Sequence, residues 1–168
     1  MKKKVIYFHG LESTQGGNKV DYLSENCYVH APRMDYTRSD IFPFLTQMVE
    51  DYKPDLIIGS SMGGYTAYIL GALYGIPVIA FNPALHNRPF SPNYPSFVNN
   101  HIAKNIKIIL GEEDTIVNPT LTLEWLKDHI RDTHPKMTIE KVNGMGHRVP
   151  LDIFINKTKN ELYLTYIF

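Results

Sequence analysis

The length, composition and charge of the chain exclude several classes of protein. Its 168 residues suit one domain over residues 1–168, and 43% hydrophobic against 20% charged residues is the balance of a globular protein. Seventeen Lys plus Arg match seventeen Asp plus Glu. This lack of net charge predicts no binding to nucleic acid or to an anionic membrane surface.

Two absences indicate a cytoplasmic protein. Cys27 is the only cysteine, so no disulfide can form within the chain. The apolar run Val5 to Phe8 is too short for an export signal, and no run reaches the ~20 apolar residues of a membrane-spanning helix.

Short apolar runs alternate with amphipathic stretches along the chain. We predict strands in KVIYFH, CYVHAP, DLIIGS, IPVIAFNP, IKIILGEED and KMTIEKV, and helices over Asn18 to Leu23, Ser39 to Tyr52, SMGGYTAYILGALYG and Pro119 to Ile130. This alternation is typical of an α/β protein: a doubly wound, mostly parallel sheet of about five to seven strands with helices on both faces.

The proline-rich segment from Pro83 to Asn105 has no clear periodicity. It is long for a connection in a compact domain, which favours a functional loop. Phe90, Tyr94 and Phe97 are candidate walls of a substrate pocket in it. The alternative is that these aromatic rings only hold the loop against the body of the protein.

The segment IIGSSMGG contains a G-x-S-x-G pattern made by Gly59, Ser61 and Gly63, directly after a predicted strand and before a predicted helix. A serine in such a sharp strand-to-helix bend needs small residues two before and two after it. Ser61 is therefore a candidate nucleophile, whereas Ser60 is one residue out of phase.

A nucleophilic serine needs a base and an orienting acid. Candidates for both follow Ser61 in the chain, the acid first and the histidine second, which is the order expected for this kind of strand-to-helix bend. Asp114 lies just beyond a predicted strand, with Glu112 and Glu113 as competitors for the same role. His147 lies in a glycine-flanked loop after the last predicted strand. The other six histidines lack this placement, and no pair of them has the spacing of a metal site.

The motifs HGL, GSSMGG, GEEDTIV and GMGH, in this order, resemble those of the α/β-hydrolase superfamily. YFHGLEST, IIGSSMGG and FNPAL are similar to the small bacterial esterases of the YqiA type. The resemblance implies Ser61 as nucleophile, His147 as general base and Asp114 as its orienting acid. It also implies that the backbone amides of Leu11 and Met62 bind the oxyanion.

The glycines after the first strand could also belong to a phosphate-binding loop. That motif requires G-x-x-x-x-G-K-[ST], but Gly10 and Gly16 are six residues apart, and Lys19 has neither a glycine before it nor a hydroxyl after it. We interpret the loop instead as half of an oxyanion hole. The QGGNK segment, Gln15 to Lys19, departs from the family pattern.

These features predict a serine carboxylesterase that cleaves short-chain acyl esters without a cofactor or metal. Its partner would be a small-molecule acyl ester, and no oligomeric state is predicted. Two alternatives stay open: an acyl thioesterase, because the same residues attack thioesters, and a non-catalytic binding protein on the same scaffold.

Overall fold

The computed structural model describes residues 1–95, 105–129 and 137–163. The described strands are β1 (Lys4–Phe8), β2 (Tyr28–His30), β3 (Leu56–Ser60), β4 (Val78–Phe81), β5 (Ile106–Gly111) and β6 (Met137–Val142). The described helices are α1 (Asn18–Asn26), α2 (Ile41–Tyr52), α3 (Met62–Tyr74), α4 (Pro119–His129) and α5 (Leu151–Thr158), and a 3₁₀ turn (Lys159–Glu161) follows α5.

The six strands form one parallel sheet in the order β2-β1-β3-β4-β5-β6. From β1 the chain goes first to one side, to β2, and then returns to β3 on the other side of β1. The carboxyl ends of β1 and β3 therefore lie where the winding changes direction, which is the place where open α/β sheets bind ligands.

Alternate residues of the strands face two separate hydrophobic cores. Ile6 and Phe8 of β1 belong to one core and Val5 and Tyr7 to the other. Buried residues of α2, α3 and α4 complete the first core, and those of α1 and α5 complete the second. Helices thus cover both faces of the sheet, and the predicted doubly wound fold is confirmed.

Most predicted element boundaries lie within a few residues of those in the structure, and helix α1 extends to Asn26, three residues beyond the predicted Leu23. Helix α2 begins at Ile41 instead of Ser39, because residues 39 and 40 belong to a turn. Helix α3 ends where Gly75 adopts a left-handed conformation with φ 66°. Ile130, the predicted last residue of α4, lies outside the described residues, as do residues 96–104 of the long loop.

Helix α5 is an element that the sequence analysis did not predict. Its Phe154 is 1% exposed and packs edge-on against Tyr7 of β1 and stacks on Phe81 of β4. Beyond it the chain returns to the residues that precede β1, where the Lys3 amide donates to the Leu162 carbonyl over 3.0 Å. Within the described ranges, no helix is long and apolar enough to cross a membrane.

Candidate active site

Ser61 lies at the bend between β3 and α3, in a conformation that few residues other than glycine adopt. Its φ is 56° and its ψ is −118°. The bend is held by the Ser61 amide, which donates to the Phe81 carbonyl over 2.9 Å, and by the Ser61 carbonyl, which accepts from the amides of Tyr65 and Ala84 over 3.0 and 3.1 Å. The strained turn is thus anchored to both neighbouring elements, β4 and α3.

The two glycines of the motif leave no room for a side chain. A Cβ on Gly59 would lie 2.0 Å from the Gly63 carbonyl oxygen, and one on Gly63 would lie 2.1 Å from the Phe8 carbonyl oxygen. The second contact crosses to the end of β1, so the small residues are needed for the approach of a neighbouring strand as well as for the bend.

His147 links the other two predicted residues. Its Nδ1 lies 2.8 Å from Asp114 Oδ2, and its Nε2 lies 3.1 Å from Ser61 Oγ. The three side chains come from loops after β6, β5 and β3, which all end at the carboxyl edge of the sheet. The imidazole therefore bridges the hydroxyl and the carboxyl group within hydrogen-bond distance of each.

The carboxyl group of Asp114 is oriented by its own loop. Its side chain is fully buried, and Oδ1 accepts from the amides of Ile116 and Val117, both over 2.8 Å. With Oδ1 occupied, Oδ2 is the atom that faces His147. A carboxylate here accepts the proton of Nδ1, which leaves Nε2 as the atom that accepts from the Ser61 hydroxyl.

The two competing glutamates and two of the other histidines have different surroundings. Glu112 and Glu113 are exposed, while Asp114 is buried. His86 Nδ1 lies 2.9 Å from the Thr122 hydroxyl, and His129 Nδ1 contacts the Trp125 carbonyl one turn earlier in α4. Burial and the nearby Arg88 guanidinium lower the pKa of His86, against the opposite effect of Asp114.

The loop after β1 approaches the serine closely. A Cβ on Gly10 would lie 3.3 Å from Ser61 Cβ. Among the described residues, neither the Leu11 amide nor the Met62 amide has a hydrogen-bond acceptor. The first amides of a helix such as α3 have no partner within the helix, so they are suited to an incoming negative charge.

His9 orders this loop, a role that sequence analysis missed. Its side chain is buried, its Nε2 accepts from the Met34 amide over 3.1 Å, and its Nδ1 lies 2.7 Å from the Gly10 carbonyl. Because Nε2 is an acceptor, the proton of the neutral ring resides on Nδ1 and is donated to Gly10. A histidine directly before the glycine was the only available sequence signal.

Lys19 does not take part in an anion site at this loop. Its side chain is half-buried, its ammonium group lies 5.7 Å from the centre of the Phe154 ring of α5, and burial lowers its pKa. The chain around it starts α1 after Gly17. This placement agrees with the rejection of a phosphate-binding loop.

Residues 83–95 run irregularly across the amino ends of α2 and α3. Tyr94 packs against Phe42 and Tyr65, with its hydroxyl 2.9 Å from that of Thr66. Phe90 is half-buried against the same core. These contacts hold the loop to the body, and the role of either ring as a pocket wall stays a prediction. Phe97 lies outside the described residues.

The Arg88 side chain binds the backbone of its own segment. Its Nη1 donates to the carbonyls of Ala84 and Leu85 over 2.8 and 2.6 Å, and its guanidinium lies 4.1 Å from the centre of the Tyr65 ring. Cation–π contact with an aromatic ring stabilises such an arrangement. The backbone that follows β4 is therefore held next to α3.

A groove among the described residues lies away from this site. It has a volume of about 710 Å³ and runs between α2 and the chain that follows β2. It is lined by His30, Pro32, Arg33, Arg38, Asp40, Phe44, Gln47, Met48, Asp51 and Tyr52. None of Ser61, Asp114 and His147 borders it.

The molecule has the α/β-hydrolase fold. Its strand order and the serine at the strand-to-helix bend, which lies within hydrogen-bond distance of a histidine, are typical of this fold. Solved structures agree: the esterase PE8 superposes with a TM-score of 0.65 at 18% identity, covering 96% of this chain and 93% of that one. A monoacylglycerol lipase of Paleococcus ferrophilus gives a TM-score of 0.65 at 16% identity, covering 86% of each chain.

The chain belongs to UPF0227, an uncharacterised protein family whose model matches residues 4–92. A UPF0227 protein of Vibrio parahaemolyticus is 29% identical over 149 residues, which covers 74% of this chain and 83% of that protein. The family match and the fold together confirm the resemblance to the α/β-hydrolase superfamily and its YqiA-type members.

Proposed function

We propose that the protein is a serine carboxylesterase that hydrolyses short-chain acyl esters. The observation that carries this proposal is the hydrogen-bonded chain from Ser61 Oγ through His147 to Asp114, at 3.1 and 2.8 Å. It lies at the edge of the sheet where α/β proteins bind ligands. The two similar solved structures, an esterase and a monoacylglycerol lipase, are in keeping with ester hydrolysis.

Acylation begins when Ser61 Oγ attacks the carbonyl carbon of the ester and its proton passes to His147 Nε2. The tetrahedral intermediate collapses, the bond to the alcohol oxygen breaks, and the alcohol leaves with the proton from Nε2. A water molecule then attacks the acyl-enzyme, gives a proton to Nε2, and releases the carboxylic acid as Ser61 recovers its proton. Asp114 stabilises the imidazolium in both steps.

The negative charge of each intermediate would be held by the amides of Leu11 and Met62. Gly10 brings the first loop beside Ser61, and the amino end of α3 supplies the second amide with a favourable helix dipole. Proton transfer and charge stabilisation are thus supplied by the chain itself, so the proposed reaction requires no metal or cofactor.

The segment after β4 supports a preference for small acyl groups. Tyr94 and Phe90 are packed against the body, and Arg88 closes the backbone on Ala84 and Leu85, so residues 83–95 form a short strap and not a broad cap. The proposed substrate is a small-molecule ester in the cytoplasm, and the proposed unit of activity is one domain over residues 1–168.

The first test is the labelling of the purified protein with a fluorophosphonate, read by intact mass, together with hydrolysis of nitrophenyl esters. We expect one adduct on the wild type and none on Ser61→Ala, with kcat/KM of the variant lower by more than about 10³-fold. Ser60→Ala is the matched control, because Ser60 precedes the bend, and it should label like the wild type.

Absence of an adduct on the wild type would contradict the proposal and favour a binding protein on this scaffold. An acyl-chain series compared between oxygen and thioesters completes the test. A preference for long chains would contradict the small acyl site, and a large preference for thioesters would indicate the alternative activity.

A further inference from the structure

Asn82 is a buried polar residue outside the three side chains of the proposed mechanism. It follows β4 directly, is 1% exposed, and has φ 42°, one of three positive values among the described non-glycine residues. Its backbone amide donates to the Ile109 carbonyl of β5 over 2.8 Å. The residue is thus held at the carboxyl edge of the sheet beside the end of β5.

The side-chain amide of Asn82 contacts two different loops. Its Oδ1 accepts from the Gly111 amide over 2.7 Å, and its Nδ2 donates to the carbonyls of Gly146 and His147 over 3.0 and 3.1 Å. Both Nδ2 protons therefore have acceptors, and the oxygen has a donor. A buried amide satisfied on both sides restricts the positions of the groups that it joins.

The two loops carry the acid and the base. Gly111 ends β5, and its carbonyl accepts from the Asp114 amide over 3.3 Å at the turn that presents the carboxyl group. On the other side, the backbone of His147 itself accepts from Asn82. The Asn82 side chain thus links the loop that carries Asp114 to the loop that carries His147.

A second contact shows how closely these loops approach. The Glu113 amide donates to the Met145 carbonyl over 3.1 Å, and a Cβ on Gly111 would lie 2.2 Å from that carbonyl oxygen. The backbones of the two loops are therefore in direct contact on one side. The Asn82 side chain adds a second link between the same two loops.

We propose that Asn82 is a positioning residue that sets the distance and angle of the His147 ring relative to Ser61 and Asp114. It touches no reacting atom and acts through the backbone of residues 146 and 147. This inference rests on the proposed esterase function for its kinetic consequence, but the geometry that it predicts can be observed without substrate.

Asparagine fits this position for two physical reasons. It tolerates a left-handed backbone better than most residues, and its planar amide offers donors and an acceptor together. Aspartate has the same shape and backbone tolerance but no donor, so its oxygens would face the carbonyls of Gly146 and His147. Glycine accepts the backbone conformation and removes the side chain.

The experiment compares the wild type with Asn82→Asp and Asn82→Gly. We would measure kcat and KM for nitrophenyl acetate and the melting temperature. We would also record the downfield proton resonance of the His147 Nδ1–H group, which donates to Asp114. For both variants we expect kcat to fall about 10²-fold while KM stays within about threefold, because a misplaced base slows chemistry more than binding. The downfield resonance should be lost or broadened.

A control variant separates positioning from general stability. Val49 of α2 is 3% exposed and packs in the core on one face of the sheet, so Val49→Ala should lower the melting temperature without reaching either loop. It should keep both kcat and the downfield resonance. If Asn82→Asp does not fold, Asn82→Gly carries the same comparison.

The outcomes distinguish this inference from the proposed function. A wild type that hydrolyses esters, with variants that keep kcat and the resonance, would overturn the role of Asn82 alone. A wild type without ester hydrolysis, whose downfield resonance is present and disappears in the variants, would support the positioning role and reject the esterase.

Discussion

Two glycine-containing turns border the candidate site, and glycine serves a different purpose in each. In the bend around Ser61, the neighbouring backbone lies within 2.0 and 2.1 Å of any Cβ on Gly59 or Gly63. In the loop after β1, Gly16 and Gly17 have nothing within 4 Å of such a Cβ, but their φ values are 99° and 87°. The first turn is limited by space and the second by backbone conformation.

This difference shows which part of the site is rigidly defined. A Cβ on Gly59 would collide with the backbone of α3, and one on Gly63 with the backbone of β1, so the position of Ser61 depends on close packing between these segments. Around Gly16 and Gly17 a substitution strains only the local chain. Gly10 lies between these extremes, since its Cβ would meet Ser61 Cβ at 3.3 Å.

The largest effect is expected for Gly63→Ala. A methyl group 2.1 Å from the Phe8 carbonyl oxygen forces β1 and α3 apart, which should lower the free energy of unfolding by more than about 3 kcal/mol or prevent folding. Urea or thermal unfolding measures this change. Gly146→Ala is the control, because its Cβ would lie 3.8 Å from the Glu113 carbonyl oxygen, an ordinary van der Waals distance. Similar losses in both variants would reject the explanation by close packing.

An intermediate effect is expected for Gly10→Ala. The added methyl group must displace Ser61 or the loop after β1 by a few tenths of an ångström. We expect kcat for a nitrophenyl ester to fall about tenfold, with little change in the melting temperature, because reacting groups tolerate little displacement. Glu12→Ala, at an exposed position of the same loop, should keep its kcat. An unchanged kcat in Gly10→Ala would place the loop farther from the chemistry than we infer.

The smallest effect is expected for Gly17→Ala. With φ 87° and ψ 176°, the residue is in a region that is nearly restricted to glycine, so alanine should cost about 1 kcal/mol in an exposed loop that can adjust. Chemical denaturation gives this value, and ester hydrolysis should match the wild type. A fall in kcat as large as that of Gly10→Ala would show that residues 15–19 shape the site.

The sequence predicted most of the fold because its signals are local. All six described strands and four of the five described helices follow from apolar runs, helical spacing and the residues that end them. Helix α5 was missed because no motif marks it. Its helix is stabilised by tertiary packing, since Phe154 fills the core beside Tyr7 and Phe81.

The candidate site also has one part that the sequence predicts and another that only the tertiary structure reveals. Gly59, Ser61 and Gly63 are recognisable in the sequence because the bend imposes its steric demands within five residues. The sequence left Glu112, Glu113 and Asp114 as alternatives, since their order in the chain does not tell which one turns inward. Asp114 differs from the two glutamates because its carboxyl group is buried and accepts hydrogen bonds from the amides of its own loop and from His147.

What the sequence determined by itself is therefore the periodic pattern of strands and helices and the position of the strained serine, because both depend on neighbours in the chain. Only the tertiary structure decided how His9 orders the first loop and how Asn82 joins the loops of Asp114 and His147. Asn82 and His147 are 65 residues apart, and their contact exists because parallel strands bring their carboxyl ends to one edge of the sheet.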